Sequence, residues 1–251
     1  MPIETRMRMP FAPALDLPPA YRLVTLREVG DAFARAQAIA ATEGAGTLVW
    51  VGRFDLVEFA LVLEPDEPLR AARRTFYAGM AALADALAVH APPEKPIAFD
   101  WPDAIRVDGG LVGGGRLAWP ADAREDAAPP WLVFGATIRT VAMADGGPGL
   151  RPLAAALEDE GFDDLGSGRL VESFARQLMV LIDAWQERGF GLVAESYLAR
   201  LPVAESAERL IDGAGDLLVR RKGKSDVKKH RLLPALAIPS WLDPATGGPR
   251  A

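Results

Sequence analysis

The sequence predicts an α+β protein in which helices cover a mixed, mostly antiparallel sheet. Three long segments repeat apolar residues with a helical period, and short β-prone runs lie between them. The order of these segments does not alternate strictly between strand and helix, which argues against an all-parallel sheet. The chain has 251 residues, which suffice for one domain of about 200 residues and a small appendage.

Apolar residues that recur at steps of three and four predict the helices. The first helix follows a short strand, and two glycines end it. Its predicted buried face consists of Leu26, Val29, Phe33, Ala36 and Ala40. The other predicted helices span Pro68–His90, Leu170–Arg188 and Leu192–Leu201.

Short runs of β-branched and other apolar residues, bounded by turn-forming residues, predict the strands. In Leu56–Leu63 the odd-numbered residues from Val57 onwards are apolar and share one side of the strand. The pair Asp108–Gly109 between two such runs predicts a tight hairpin. The other predicted strands are Tyr21–Leu26, Thr47–Val51, Ile97–Trp101, Ile105–Asp108, Leu111–Trp119 and Trp131–Met143.

Three regions are predicted along the chain. Residues 1–20 form an irregular proline-containing arm, residues 21–201 the main domain, and residues 202–251 a small β-type domain or tail. The last region contains short apolar runs at Leu217–Val219 and Leu232–Ile238, and a basic stretch from Arg220 to Arg231. We interpret the basic stretch as a solvated loop, and docking of an acidic partner domain is the alternative.

Composition excludes several classes of site and partner. The chain has no cysteine, so neither a disulfide nor a thiolate metal site can form, and no other metal-binding motif is present. The formal net charge of −6 argues against a nucleic-acid partner. No continuous apolar stretch has the length of a signal peptide or a membrane span. We therefore expect a cytoplasmic protein without a membrane partner.

The strongest local motif is a strand that ends in Phe99-Asp100-Trp101-Pro102-Asp103-Ala104, followed by an Asp-Gly hairpin and a strand with three consecutive glycines. In kind and order these features resemble the biotin/lipoate A/B protein ligase family, whose members carry Lys-Trp-Pro-Asn-Asp before a hairpin and a glycine-containing strand. The resemblance covers Tyr21 to Leu201. It implies the ligase-like fold, with residues 21–201 as the catalytic domain.

The resemblance also implies an activity. Members of the family activate biotin, lipoate or octanoate with ATP and Mg²⁺ as an acyl-adenylate, and pass the acyl group to a lysine of a biotinyl or lipoyl acceptor domain. Some relatives move an octanoyl group directly from a carrier protein. The implied partners are therefore a small carboxylic acid and an acceptor domain of another protein.

The sequence departs from the family motif where positive charge is needed. Asp100 occupies the position of the family lysine, and Asp103 that of the asparagine. The glycine-containing segment that would handle the adenylate keeps a single arginine, Arg53. Activation of a phosphate needs cations near the developing charge, and the sequence offers none at the motif position. The catalytic residue is therefore unknown. Lys95, which precedes the motif, is a weak substitute for the family lysine.

The predicted ligand-binding residues follow from the motif and the chemistry of a bound acid. The glycines are interpreted as a pocket wall, because they let a ligand approach the backbone, or as close strand packing. Arg116 either binds a carboxylate or forms a surface ion pair. The full set is Arg53, Trp101, Pro102, Asp103, Gly113, Gly114, Gly115 and Arg116.

Two functions remain open at this point. One is a divergent transferase that moves a biotinyl, lipoyl or octanoyl group to a lysine of an acceptor domain. The other is a catalytically impaired protein that keeps the fold and binds an acid or a carrier domain. If Lys95 and Arg53 both line one pocket, transfer chemistry remains possible; if both face solvent, binding is favoured.

Overall fold

A computed structural model of the protein describes residues 15–142, 153–162, 165–202, 207–221, 223 and 226–250. Residues 1–14 of the predicted arm and Met143, the predicted end of a strand, lie outside the described residues. The described chain forms a large mixed sheet, helices on both of its faces, and a second small sheet. None of the helices in these ranges combines the length and hydropathy needed to cross a bilayer.

The large sheet has seven strands in the order β1-β2-β3-β7-β6-β5-β4. Only β1 and β2 pair in parallel, because helix α1 connects them; every other pair is antiparallel. The strands are β1 (Arg22–Leu26), β2 (Thr47–Gly52), β3 (Leu56–Leu63), β4 (Ile97–Asp100), β5 (Ala104–Val107), β6 (Gly110–Ala118) and β7 (Leu132–Arg139).

Helices cover the two faces of this sheet unequally. On one face lies α1, which contacts β2, β3 and β7. On the other face lies α3, which is buried almost all round because it also packs against α4 and α5. The helices are α1 (Ala32–Glu43), α2 (Leu69–Ala72), α3 (Thr75–His90), α4 (Ser167–Arg188), α5 (Gly191–Leu198) and α6 (Leu232–Leu236).

Side chains of the central strand β3 separate the two cores. Val57, Phe59 and Leu61 join the large core under α3 and α4, whereas Ala60 and Val62 join the smaller core under α1. Because successive side chains of a strand point to opposite faces, every even-numbered residue of β3 faces α1. This assignment places one carboxylate, that of Glu58, in the layer beneath α1.

The C-terminal region adds a three-stranded antiparallel sheet in the order β10-β9-β8. Its strands are β8 (Ala207–Ile211), β9 (Leu217–Arg221) and β10 (Val227–His230). After α6, residues 239–250 form an irregular segment, here called the C-terminal segment, which folds back onto the large sheet. In it, the backbone N–H of Arg250 donates to the carbonyl of Trp241 at 2.7 Å, which closes the segment into a loop.

The predicted fold class is confirmed: helices cover a mixed, mostly antiparallel sheet, with a small C-terminal β appendage. Some details of the prediction are wrong. Val29 is 98% exposed, because helix α1 begins after it at Ala32. The run that begins at Leu232 is the short helix α6, and the basic stretch contributes to β9 and β10, so it is not a loop throughout. The division into domains stays a prediction.

Candidate functional site

A row of residues crosses the middle of the sheet on the α1 face. Glu58 on β3 lies directly opposite Thr137 on β7, and Thr137 lies opposite Gly114 on β6. In the next row, Arg116 lies opposite Gly135. Directly opposite residues project to the same face of a sheet, so these polar side chains and bare glycines share one layer.

Arg116 is the cation of this layer, and its charge is not matched by an ion pair. Its Nε is buried without a hydrogen-bond partner, and no carboxylate of the described chain lies within 4 Å of the guanidinium. The guanidinium carbon lies 4.3 Å from the ring centroid of Phe33, at the start of α1. Burial lowers the pKa of Arg116, although an arginine stays protonated in a protein. The guanidinium is therefore held against Phe33, and its Nε has a hydrogen bond left to donate.

Two carboxylates approach this cation from the start of α1 and from β3. Asp31 caps the helix by accepting a hydrogen bond from the backbone N–H of Ala34 at 2.8 Å. Glu58 accepts one from the backbone N–H of Ala32 at 2.8 Å. Burial raises the pKa of Glu58, while this hydrogen bond and the positive charges of Arg116 and Arg53 oppose the rise.

Thr137 supplies a second unpartnered polar atom. Its side chain is fully buried, and its Oγ1 has no hydrogen-bond partner among the described residues. A buried hydroxyl without a partner costs about 1–3 kcal/mol, and such groups are uncommon in folded proteins. The unpartnered hydroxyl and the unpartnered guanidinium Nε lie in adjacent rows of one face, and both are donors from which a carboxylate or another small anion can accept.

The C-terminal segment closes this layer from a distant part of the chain. The indole of Trp241 is fully buried and lies on Gly114, and its Nε1 donates to the carbonyl of Gly115 at 3.1 Å. Asp103 fixes the segment, because its carboxylate accepts hydrogen bonds from the backbone N–H of Ser240 at 2.8 Å and from its Oγ at 2.6 Å. Burial raises the pKa of Asp103, and the hydrogen bonds from Ser240 oppose the rise.

The titration of Glu58 gives the site a pH dependence that stability measurements can detect. Because burial raises the folded-state pKa above the ordinary value of 4.5, the folded protein holds more protons than the unfolded chain between the two values. This contribution to stability is complete below pH 4.5 and is lost as the pH rises through the folded-state pKa.

We expect Glu58→Gln to stabilise the protein near neutral pH, by an amount on the order of 1 kcal/mol, because the amide oxygen keeps the hydrogen bond from Ala32 without the buried charge. The melting temperature should exceed that of the wild type by about 2–4 °C at pH 7–8 and should match it near pH 4. The measurement is the difference in melting temperature across this pH range, in which groups common to both proteins cancel. A difference that does not change with pH contradicts the assignment.

The predicted ligand residues fall on both sides of the sheet. Trp101 points towards α3, where its Nε1 donates to the hydroxyl of Tyr77 at 3.2 Å. The carbonyl of Pro102 accepts a hydrogen bond of 2.6 Å from the fully buried hydroxyl of Tyr197. These two motif residues therefore connect strands and helices on the face opposite Arg116. Of the predicted set, the structure brings Gly114 and Arg116 together.

Gly113, Gly114 and Gly115 are each in close contact with a different neighbour. A Cβ at Gly113 would lie 1.9 Å from the carbonyl oxygen of Thr137, and one at Gly115 would lie 2.6 Å from the sulfur of Met80. A Cβ at Gly114 would lie 2.3 Å from Cδ1 of Trp241. Close packing therefore accounts for the glycine strand in the described chain, with the indole in the place where a wall was predicted.

The other predicted charges are engaged in ion pairs. Arg53 forms a two-pronged pair with Asp55 in the turn between β2 and β3, at 2.7 and 3.0 Å. Asp100, at the family lysine position, accepts a hydrogen bond from Nε of Arg106 at 2.6 Å. Lys95 lies just before β4, which is an edge strand of the sheet. Its partners are the carboxylates of Asp108 and Glu160, which raise the pKa of Lys95 to about 12.

A profile of the Biotin/lipoate A/B protein ligase family matches residues 17–199, well over half of the chain. The chain belongs to the biotin/lipoate A/B protein ligase family. No curated protein matches its sequence. A solved structure with the same fold is a biotin protein ligase-like protein of unknown function from Silicibacter sp. TM1040, with 27% identity and a TM-score of 0.76. That likeness covers 89% of this chain and 99% of the other.

Biotin protein ligases of this family with solved structures share the fold at lower identity. The ligase from Aquifex aeolicus is 13% identical with a TM-score of 0.60, over 84% of this chain and 99% of the ligase. The ligase from Leishmania major, in complex with biotinyl-5-AMP, is 17% identical with a TM-score of 0.54, over 84% and 98%. At these identities the likeness establishes the fold alone.

The described residues of this family member do not fit a Mg²⁺-nucleotide site. The positions expected to carry its positive charge hold Asp100 and Arg53, and both are occupied by an ion pair within the chain. No group of three His, Asp or Glu side chains in the described ranges could hold a metal ion. On the α1 face, Arg116 is a buried cation without an ion pair among the described residues.

Sequence reasoning missed most of the side chains around Arg116: Asp31, Phe33 as a ligand neighbour, Glu58, Gly135, Thr137 and Trp241. One signal was available, because Glu58 is the single charge within the apolar run Leu56–Leu63. A charge in the middle of a strand with apolar neighbours on both faces requires a partner or a function. The other residues carry no such mark.

Proposed function

We propose that the protein binds a small carboxylic acid with an apolar tail on the α1 face of the sheet, with Arg116 as the residue that holds the carboxylate. The observation that carries this proposal is the pair of unpartnered buried polar atoms, Nε of Arg116 and Oγ1 of Thr137, in adjacent rows of the sheet. A carboxylate would accept hydrogen bonds from both, which removes the cost of leaving them unpaired.

The surroundings of Arg116 suit the rest of such a ligand. Phe33 lies against the guanidinium and fills the space above Gly135, where a Cβ would come within 2.4 Å of its ring. Trp241 fills the space above Gly114. Two aromatic rings therefore lie on the same face as the cation, together with the carboxylates of Asp31 and Glu58, and apolar surface beside a few polar groups is the usual construction of a site for an amphiphilic acid.

Binding is favoured over ATP-dependent ligation by the positions of Lys95 and Arg53. Arg53 lies in the turn before β3, and Lys95 lies before β4. Three strands, β7, β6 and β5, separate β3 from β4 in the sheet, so the two side chains lie in different parts of it. The cavity beside Lys95 is lined by Ala88, Pro92, Ile97 and their neighbours, and Arg53 is not part of it. The two cations therefore do not converge on one ligand.

Transfer of a biotinyl, lipoyl or octanoyl group to a lysine of an acceptor domain is the second candidate. Membership of the ligase family over residues 17–199 favours it. If the protein is a transferase, the described residues fit better with an acyl group that arrives already activated as a thioester. Such a donor needs no cation cluster for phosphates, and Arg116 or Thr137 could stabilise the oxyanion of the attacked carbonyl.

The experiment that tests the proposal is the thermal stability of the purified protein with biotin, lipoate, octanoate and ATP–Mg²⁺, singly and in pairs. A ligand that binds the folded state raises the melting temperature by mass action. We expect an acid alone to raise it and ATP–Mg²⁺ to add nothing. A larger shift for an acid with ATP than for the two separately supports a ligase instead, and no shift with any acid refutes the proposal.

A further inference from the structure

We propose that a second site, separate from the α1 face, binds an organic cation with an apolar body. It is a cleft between the segment that follows β3 and the end of α4, here called the aromatic cleft, with a volume of about 610 Å³. Small-molecule sites commonly have volumes of about 300–1,000 Å³. The proposal goes beyond the proposed function and does not depend on it.

The chain itself places one cation in this cleft. The guanidinium carbon of Arg74 lies 5.6 Å from the ring centroid of Trp185 and 4.8 Å from that of Phe190. The centroids of the two rings are 5.2 Å apart. Glu67 accepts a hydrogen bond from Nη2 of Arg74 at 2.6 Å. Aromatic faces and a carboxylate around a positive charge form a favourable environment for a cation, and Arg74 occupies one part of it.

Negative charge remains in the cleft after this pair has formed. The lining holds three carboxylates, those of Glu64, Asp66 and Glu67, against the one guanidinium of Arg74, which gives a net charge of −2. Glu67 is paired with Arg74, whereas Glu64 and Asp66 have no ion pair among the described residues. Glu64 is oriented by a hydrogen bond of 3.1 Å from the backbone N–H of Ala45, which also lines the cleft. Two carboxylates are therefore left for a second cation.

The end of α4 adds to the negative potential. Gly189, the C-cap of this 22-residue helix, lines the cleft, whereas the exposed Arg188 in the last turn does not. The C-terminus of a helix carries a partial negative charge, which favours a cation beside it. Leu63 and Ile182 supply apolar surface in the same cleft. A ligand with an ammonium group and an apolar body matches these features, and an anion does not.

The test is calorimetric titration of the full chain with 2-phenylethylammonium and with the neutral 2-phenylethanol, which has the same apolar body. We expect the ammonium to bind the wild type about tenfold more tightly than the alcohol, because only the ammonium gains from the carboxylates and the helix end. Added NaCl should weaken binding of the ammonium and leave that of the alcohol unchanged, because salt screens exposed charges.

Two variants, Glu64→Gln and Asp66→Asn, remove the available carboxylates. Both residues are exposed, and the amide oxygen of glutamine can still accept the hydrogen bond from Ala45, so the fold should be unaffected. Each substitution should weaken binding of the ammonium about threefold, and the double variant about tenfold. The matched control is Asp183→Asn, at an exposed carboxylate of α4 that does not line the cleft, and it should bind like the wild type.

Arg74→Met should strengthen binding of the ammonium about tenfold, because it removes the cation that competes for both rings and for Glu67. The matched control is Arg70→Met, at an exposed arginine of α2 outside the cleft, and it should leave the affinity unchanged. If Arg74→Met does not fold, the double carboxylate variant decides the question by itself.

Three outcomes overturn the proposal. They are the absence of ammonium binding, equal affinity for the ammonium and the alcohol, and ammonium binding that the double carboxylate substitution leaves unchanged. Unchanged or weaker binding to folded Arg74→Met overturns the assignment of the rings to the cation. Binding of acids that depends on Arg116 is measured separately, so each of these outcomes leaves the proposed function intact.

Discussion

Arg116→Met should reduce acid binding by about 100-fold while leaving the protein at least as stable as the wild type. The loss follows from the removal of the hydrogen bond between the guanidinium Nε and the carboxylate, since a hydrogen bond between charged groups contributes up to about 3 kcal/mol. Stability should not fall, because a buried guanidinium without an ion pair is costly and methionine keeps an apolar stem against Phe33. Residues held for binding commonly show this opposition between function and stability.

Two measurements check this expectation: the melting temperature without ligand and the dissociation constant of octanoate by calorimetry. Arg106→Met is the matched control, since Arg106 is also a partly buried arginine but has an ion pair with Asp100. The control should bind octanoate like the wild type. If Arg116→Met binds octanoate unchanged, the acid does not bind there. If it unfolds, Arg116 is part of the structural core.

The fold could be predicted from the sequence because its elements carry local patterns. The alternation in Leu56–Leu63 predicts the bounds and the orientation of β3, and the structure has the same strand. Asp108 and Gly109 have φ angles of 48° and 83°, the left-handed values that a tight two-residue turn requires. Val29 shows the limit of such patterns. It matches the helical period, but the cap at Asp31 begins the helix after it.

The candidate site could not be predicted in the same way because it depends on strand register. Glu58, Thr137 and Gly114 meet only because three strands are aligned at these residues, and a shift by one residue would turn each to the opposite face. Trp241 reaches Gly114 from 127 residues further along the chain, since 241 − 114 = 127. No local pattern encodes such a contact.

The motif around Trp101 illustrates why a resemblance gives the fold more securely than the roles of residues. Trp101 and Pro102 keep the family's residue types, and both contact the buried tyrosines on the helical face. Asp103 replaces the family's asparagine and holds Ser240 of the C-terminal segment. A position can therefore keep its place in the strand while its side chain binds another part of the same chain.

Gly114→Ala should be among the most destabilising single substitutions in the sheet, with an expected loss of about 2–4 kcal/mol. The new Cβ would lie 2.0 Å from the backbone carbonyl oxygen of Asp103 and 2.3 Å from Cδ1 of Trp241. The indole could leave, but the carbonyl of Asp103, in the turn just before β5, cannot move without breaking the hydrogen bond from the N–H of Gly115.

The measurement is urea unfolding of Gly114→Ala beside Gly166→Ala. Gly166 precedes α4 and has φ of −64°, and no other atom lies within 4 Å of the place that its new Cβ would take. Its substitution should therefore change stability by less than about 1 kcal/mol. Gly114→Ala should also expose Trp241, which its fluorescence would report as a shift to longer wavelength in the folded protein. Equal stability of the two variants would contradict the close approach of the Asp103 carbonyl and of Trp241 to Gly114.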